Sequence, residues 1–387
     1  MMQVEFLSPY QGQLSALPHQ APLACGNAVA LAFCAELSQH LMRDAQYRQY
    51  PELVALGFWL RDASIKQWFV MPGGLCKPLG TVLHITPNNV DSMFVYSWIC
   101  ALLMGNHNIV RVSNSDNPVK QQLIAAINGL LVQPQFAELA SRNVFVSYAR
   151  ESDVSARLSL LADARVLWGG DASVMAIRAL PAKARCRDIS FADRWSAALI
   201  DANGLQASQL DQLAQALWRD SQPHGQMACS SPRVLFWLGD EQHQPALWDK
   251  LAALAAQQDD GLTRANNQLV NQQLLAATGK GLTLYRGRIA VSRILAVDEQ
   301  ALDWFCGDGV FYLLPLTQMQ DITRHLDEKI QTLSYMGCER DRLLDLLRDP
   351  AVRGVDRLVP IGQALDFAPL WDGYDLLSQL CRQVRYV

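Results

Sequence analysis

The chain has 387 residues, half of them hydrophobic and 18% charged, so it can bury large cores and its length suits two or three folding units. A net charge of -4 provides no global attraction to nucleic acid or to an acidic membrane. Nine cysteines at irregular spacing, with no cationic, apolar leader at the start of the chain, argue against an oxidised secreted framework; the thiols are expected to be reduced and the protein cytoplasmic.

Residues 28–42 carry a helical period, and the rest of the first seventy residues show little recognisable chemistry. From Lys77 the pattern sharpens. A β-rich run GTVLHIT leads to the turn Pro87-Asn88-Asn89, an apolar helix over 92–104, a Gly105-Asn106 stop and a second strand NIVRV. That apolar helix is too short to span a bilayer, which takes roughly 20 residues. The βαβ pattern repeats: a helix over 118–131, the strand NVFVSY, a helix over 153–161, the strand RVLW, the turn Gly169-Gly170 and a helix over 172–180. A second unit follows, with a helix over 208–219, a loop holding Cys229, the strand RVLFWL and a helix over 245–256. The strands LTLYRG and IAVSRIL, the run GVFYLLPL and a helix over 319–326 continue it. Alternation at these lengths predicts an α/β protein of two doubly wound, Rossmann-like lobes with an active-site cleft between them. The expected organisation is an N-terminal segment and nucleotide-binding domain over 1–203, a catalytic domain over 204–355, and a C-terminal segment over 356–387 packing back on the cleft. No CxxC or His-x-x-x-His pair occurs and the seven histidines are scattered, so no metal site is expected.

The most informative residue is Cys229, in Gly225-Gln226-Met227-Ala228-Cys229-Ser230-Ser231-Pro232. Small neighbours on a loop just before a strand leave its thiol within reach of a substrate. Most other cysteines lie among apolar residues, as in YSWICALLM, where the side chain behaves as a small hydrophobe. Asn89, with Thr86 and Pro87, lies at the carboxyl edge of a parallel sheet, where doubly wound folds bind ligands; its amide can serve an oxyanion, and Pro-Asn-Asn is equally an ordinary turn. Arg111, Ser113 and Asn114 end the next strand and suit a ribose or a phosphate, although an arginine there is also commonly just solvated. His224 either lowers the pKa of Cys229 or hydrogen-bonds its own turn.

The segment PLGTVLHITPNNVDSMFVYSWICALLMGNHNIVRVSNSD resembles the nucleotide-binding core of the aldehyde dehydrogenase superfamily, and GQMACSSPRV resembles its catalytic-cysteine segment. The pattern from His84 to Val90, WGGD at 168–171, the step Gln331-Thr332 and the terminal Pro369-Leu370-Trp371-Asp372-Gly373 are similar to LuxC-type acyl-CoA reductases. This resemblance implies that Cys229 is the nucleophile and that Asn89 and the Cys229 amide form the oxyanion hole. It also implies that Thr86, Pro87, Arg111, Ser113 and Asn114 contact the cofactor, with Gly169 and Gly170 near its pyrophosphate. The neutral Asn114 beside Arg111, where an acidic residue often stands, favours NADPH, with NADH the alternative.

In the hydrolytic members a glutamate activates water; the corresponding stretch here, Asp188-Ile189-Ser190-Phe191-Ala192-Asp193, contains none, and Asp188 or Asp193 is the candidate substitute. A second departure lies at GDGVFYLLPL, where Asp308 stands near the place of a glutamate that touches the nicotinamide ribose. The implied activity is reduction of an acyl thioester, on CoA or on a carrier protein, to an aldehyde. The implied partners are an acyl-activating enzyme and, in a homo-oligomer, further copies of the chain. The alternative readings are a cysteine-dependent thioesterase and a non-catalytic scaffold for an acyl-activating enzyme.

Overall fold

Parallel strands buried on both faces form the centre of each half of the computed structural model, which describes residues 4–86, 93–114, 117–258 and 262–386. The chain divides into two units, Met1–Asp193 with Phe367–Val387, and Arg194–Asp366. Both are mixed α/β, as the alternation of elements predicts.

In the first unit the sheet contains β1 (Glu5–Phe6), β3 (Thr81–Ile85), β4 (His107–Arg111), β5 (Asn143–Ser147), β6 (Ala164–Trp168) and β7 (Arg187–Phe191), while β2 (Leu75–Pro78) lies outside it. Their order is β1-β5-β4-β3-β6-β7, with β3 to β7 parallel and β1 antiparallel at the edge. This is the doubly wound arrangement, and its direction reverses between β3 and β6. Every residue of β3, β5 and β6 is buried, which is why these strands read as continuous runs rather than as alternating ones. The helix Ala28–Arg43 begins where the Asn27 side chain accepts the Val29 and Ala30 N–H groups. It buries Ala30, Phe33, Cys34, Leu37 and Leu41, one face at helical spacing, and Phe33 meets Trp98 and Phe136 edge-on. Trp98 comes from the apolar helix Met93–Leu103, which is buried nearly all round.

The last twenty-one residues, Phe367–Val387, belong to this unit. Strand Cys381–Val384 pairs antiparallel with β2, and Phe367, Trp371, Leu376 and Leu380 pack in a cluster with Val82, Cys100 and Trp168. Asp372 and Gly373, at φ 50° and 73°, turn the chain between two short antiparallel strands, Leu370–Trp371 and Tyr374–Asp375. A two-residue hairpin with positive φ at both positions explains the Asp-Gly step in that motif.

The sheet of the second unit is made of β8 (Trp195–Asp201), β9 (Pro232–Leu238), β10 (Gly281–Arg286), β11 (Ala290–Ile294), β12 (Val310–Leu316), β13 (Ile330–Met336) and β14 (Arg357–Pro360). The order is β10-β11-β12-β9-β8-β13-β14, parallel except for β10. The unit begins at Arg194, ahead of the boundary expected at residue 203, because β8 is an interior strand of its sheet, hydrogen-bonded to both β9 and β13. Residues 319–325 form a 3-10 helix rather than an α-helix. No single helix among the described residues is long and apolar enough to cross a membrane.

His84, the histidine of the motif on β3, is a structural residue. Its ring is fully buried, with Nδ1 3.1 Å from Ser97 Oγ and Nε2 3.1 Å from Asn108 Oδ1. Asn108 continues to Asn143, whose side-chain oxygen also accepts the Trp98 indole N–H at 2.7 Å. Burial pushes the His84 pKa down from 6.5 to about 4. The folded value lies below the unfolded one, so between these pH values the unfolded chain binds the extra proton and stability falls as the pH falls. The expected contribution to acid destabilisation is about 3 kcal/mol, complete below pH ~4. Denaturation of wild type and His84→Gln between pH 7 and 4.5 checks this: the variant should show a shallower loss of stability, and equal slopes contradict the assignment.

Candidate active site

The segment that carries Cys229 is shaped by three consecutive residues in the left-handed region, His224 (φ 55°), Gly225 (φ 59°) and Gln226 (φ 64°), within the 3-10 turn Pro223–Gln226. Glycine adopts this conformation freely; histidine and glutamine do so at a cost, so the turn must be held by its surroundings. Gln226 is 1% exposed and does most of the holding. Its Nε2 donates to the Pro232 carbonyl at 3.0 Å and to the Val310 carbonyl at 2.9 Å, and its Oε1 accepts the Gly309 N–H at 3.0 Å. One carboxamide thus ties the turn to the amino ends of β9 and β12. The Asp308 N–H donates to the Gly225 carbonyl at 3.0 Å. Gly307 permits this approach, since a Cβ there would lie 2.1 Å from the Gly225 oxygen.

Beyond the turn, Ala228, Ser230 and Ser231 are buried while Cys229 between them is half-exposed. The Ser196 hydroxyl, at the start of β8, donates to the Cys229 carbonyl at 2.7 Å and accepts the Thr332 N–H at 3.1 Å. The Gln331 side chain, at the start of β13, directs Nε2 to the Cys229 sulfur at 3.3 Å. Cys229 therefore lies on the amino edge of the second sheet, where β8, β9, β12 and β13 each contribute a contact. Several other thiols are less reactive by placement: burial pushes Cys25, Cys306 and Cys338 up to about 11 and Cys34 and Cys381 up to about 12, and raises Cys100 as well.

Two further residues named from the sequence belong to this edge. His224 is part of the turn, and its carbonyl accepts the Met227 N–H at 3.1 Å. Asp308 (φ 54°) is committed to neighbours: Asn267 Nδ2 donates to its carboxylate at 2.8 Å and Arg264 Nε lies 3.9 Å away.

The residues expected to hold a cofactor gather at the carboxyl edge of the first sheet. Thr86, at the end of β3, donates its hydroxyl to the Arg111 carbonyl at 2.7 Å and so locks the ends of β3 and β4 together. Pro87 and Asn89 lie outside the described residues. The Arg111 guanidinium sits 5.1 Å over the Tyr148 ring, a cation–π contact, and its buried Nε has no hydrogen-bond partner among the described residues. Ser113 is buried, with its carbonyl accepting the ammonium of the buried Lys120 at 2.8 Å. Asn114 is exposed, and its side-chain oxygen accepts the Ser147 hydroxyl from the end of β5. A buried cationic N–H without a partner among the described residues, with an exposed amide three residues on, fits a ligand rich in hydroxyl and phosphate oxygens.

Gly169 and Gly170 follow β6, beside the reversal point of the sheet, and Gly170 opens the helix Asp171–Arg178. The chain's own carboxylates are found there: Asp193 accepts the Asp171 N–H and Asp171 accepts the Asp193 N–H, each at 3.0 Å. This negative pair occupies the helix terminus at which a pyrophosphate was expected. Asp188, the other candidate base, forms a two-pronged ion pair with the buried Arg165 at 2.6 and 2.7 Å. The Ser190 hydroxyl is buried without a partner among the described residues. Gln226, Ser196, Lys120 and Tyr148 had no assigned role in the sequence. Gln226 carried a signal in the Gly-Gln step before the cysteine, and Gln331 in the Gln-Thr step.

The family model described as acyl-CoA reductase (LuxC) matches residues 75–383. The long-chain acyl-protein thioester reductase of Vibrio harveyi is 26% identical over 339 residues, which cover 82% of this chain and 66% of that protein. The corresponding protein of Aliivibrio fischeri is 23% identical over 344 residues, 84% of this chain and 67% of its own length. The chain thus spans about two thirds of the length of these relatives. Among solved structures, 1-pyrroline-5-carboxylate dehydrogenase from Thermus with bound NAD has a TM-score of 0.63 at 13% identity, covering 96% of this chain and 81% of that one. That likeness shows a shared fold.

Replacing Gln226 by alanine leaves two carbonyls and one N–H unpaired at buried positions, so Gln226→Ala is expected to destabilise the chain by about 3 kcal/mol. Hydrogen exchange should rise first over residues 223–231. Denaturant unfolding measures the loss, and a change below about 0.5 kcal/mol would show that the turn is held by other groups.

Proposed function

Because the chain belongs to the acyl-CoA reductase (LuxC) family, we propose that it reduces an acyl thioester, on CoA or on a carrier protein, to an aldehyde through a covalent intermediate on Cys229. The observation that carries this reading is the position of Cys229: half-exposed, just beyond a turn held in an unfavourable backbone conformation, with an amide N–H directed at its sulfur. The Cys229 thiolate attacks the acyl carbonyl carbon, and the carrier thiolate leaves and takes up a proton. The oxygen that becomes negative during attack is held by the Cys229 backbone N–H and by Asn89. A bound nicotinamide cofactor supplies the hydride that reduces the resulting enzyme thioester. The thiohemiacetal on Cys229 then collapses, releasing aldehyde and returning the thiolate.

Arg111, Ser113 and Asn114 hold the adenosine end of the cofactor, with Thr86 and Pro87 bordering it and Gly169 and Gly170 lining the adjacent turn. The unpartnered Arg111 Nε and the neutral Asn114 support NADPH over NADH, since a 2′-phosphate gains a cation and meets no carboxylate at position 114. The carboxylates at Asp171 and Asp193 favour recognition of phosphate by Arg111 over recognition by the helix terminus. Asp188 pairs with Arg165 and Asp193 accepts the Asp171 N–H, and these engagements support exchange with a thiol carrier over release of free acid. The same reasoning supports an acyl-activating enzyme as the source of the thioester.

The reading is tested by mixing the protein with NADPH and a panel of acyl-CoAs and following absorbance and aldehyde. Wild type should consume NADPH faster than NADH. Cys229→Ala should lose turnover while retaining NADPH binding, and Asn114→Glu should weaken NADPH relative to NADH by roughly fivefold through charge repulsion. Turnover in Cys229→Ala within a few-fold of wild type would overturn the nucleophile assignment.

A further inference from the structure

The Cys229 sulfur is joined to a buried polar chain within the second unit. Arg357, at the start of β14, is 9% exposed; its Nη1 donates to the Ala364 carbonyl at 2.8 Å and to Thr332 Oγ1 at 3.3 Å, and its Nη2 donates to the Asp366 carbonyl at 2.8 Å. Thr332 Oγ1 lies 3.4 Å from Gln331 Oε1, and Gln331 Nε2 lies 3.3 Å from Cys229 Sγ. Both Gln331 and Thr332 are fully buried.

The direction of this chain follows from its charged end. A guanidinium has donors and no acceptor and keeps its proton, so Thr332 must accept from Arg357. The hydrogen of the Thr332 hydroxyl is then directed to Gln331 Oε1, and the amide presents its N–H to the sulfur. The opposite orientation would set a carbonyl oxygen against the sulfur and repel a thiolate, and would deprive the Thr332 hydrogen of its acceptor.

Resting on the thioester reading of the same cysteine, we infer that Gln331 is a catalytic residue that favours the Cys229 thiolate by hydrogen bonding, with Thr332 and Arg357 as positioning residues that fix the polarity of its amide. A hydrogen bond to a charged acceptor is stronger than one to a neutral thiol, so the contact favours the thiolate before attack and again when it leaves the thiohemiacetal. No proton moves to or from Gln331. This separates it from a histidine or carboxylate at the same place, either of which would also activate water against the thioester. A carboxamide activates the sulfur without opening that path.

Charged or titratable groups on the surrounding elements include His224 on the turn, Arg233 at the start of β9, Cys306 and Asp308 ahead of β12, Arg194 beside β8, and Lys329 ahead of β13, which pairs with Glu299. They also include Asp220, which accepts the Gly362 and Ala364 N–H groups beside Arg357 and whose pKa burial raises to about 6. Arg233 lies over the Phe305 ring, Asp308 is held by Asn267, and Arg194 pairs with Asp356 and the Ile330 carbonyl.

The test is the pH dependence of alkylation by iodoacetamide, followed on the Cys229 peptide by mass spectrometry so that the other eight thiols do not contribute. In Gln331→Ala the midpoint should move up by about one pH unit, a roughly tenfold loss of thiolate at fixed pH. Gln331→Glu should move it further, because a carboxylate opposes the thiolate. Thr332→Val should shift it in the same direction by less, and Thr332→Ser should restore it, a rescue that packing alone does not explain. A folded Gln331→Ala protein with an unmoved midpoint overturns the inference. If that variant does not fold, equal midpoints for Thr332→Val and Thr332→Ser overturn it. Alkylation needs no acyl substrate: wild type that shows these shifts but never reduces a thioester fails the reductase reading alone, and wild type that reduces thioesters without the shifts fails this inference alone.

Discussion

The Gln226 carboxamide is the contact on which the reactive edge depends. His224 and Gln226 occupy a region of backbone space that costs of order 1–3 kcal/mol for such residues, and the three hydrogen bonds of one side chain offset it. Because the partners of Gln226 lie at the amino ends of β9 and β12, the turn takes its position from the sheet and not from its own preference. Ser196 then fixes the Cys229 carbonyl and Gln331 meets the sulfur. Gly307 is small for the same reason, since a larger residue would push the Gly225 carbonyl away.

The two units use their sheets in opposite senses. In the first, the residues suited to a nucleotide lie at the carboxyl edge, next to the reversal of strand order, where doubly wound folds present ligand sites. In the second, the thiol lies at the amino edge. Buried polar groups support each: the His84, Asn108, Asn143 and Trp98 network in the first, and the line from Arg357 to Cys229 in the second. Such networks restrict side chains to one arrangement because each unmade hydrogen bond in a buried site is costly. The carboxylates nearest the place of the missing glutamate serve structure, Asp188 across β6 and β7 and Asp193 at a helix terminus.

Much of this architecture was legible in the sequence where apolar residues mark the period. The helix Pro118–Leu131 was read to the residue, and the buried strands β3 to β6 and β9 were found as short apolar runs. The failures have physical causes. Strands β7 and β8 are separated by three residues, and the sequence pattern assigned no strand to either, so the second unit was expected to begin later than Arg194. The helix Leu262–Ala277 escaped notice because its buried face is built from Gln268, Asn271 and Gln272, whose amides satisfy the Asp308, Trp304 and Tyr285 carbonyls. A polar buried face has no hydrophobic period to detect. Cys229 was legible from its local setting. The role of Gln331 was not, since that contact joins residues 102 positions apart and exists only once β13 is in place beside β8.

The central claim is that Cys229 holds the acyl group and that water does not remove it. Intact-protein mass spectrometry of wild type incubated with an acyl-CoA in the absence of nicotinamide cofactor tests this directly. The account expects a stable mass increase of one acyl group, mapped to Cys229, with little free acid in solution. Rapid release of free acid without any nucleotide would contradict it and would make the chain a cysteine-dependent thioesterase.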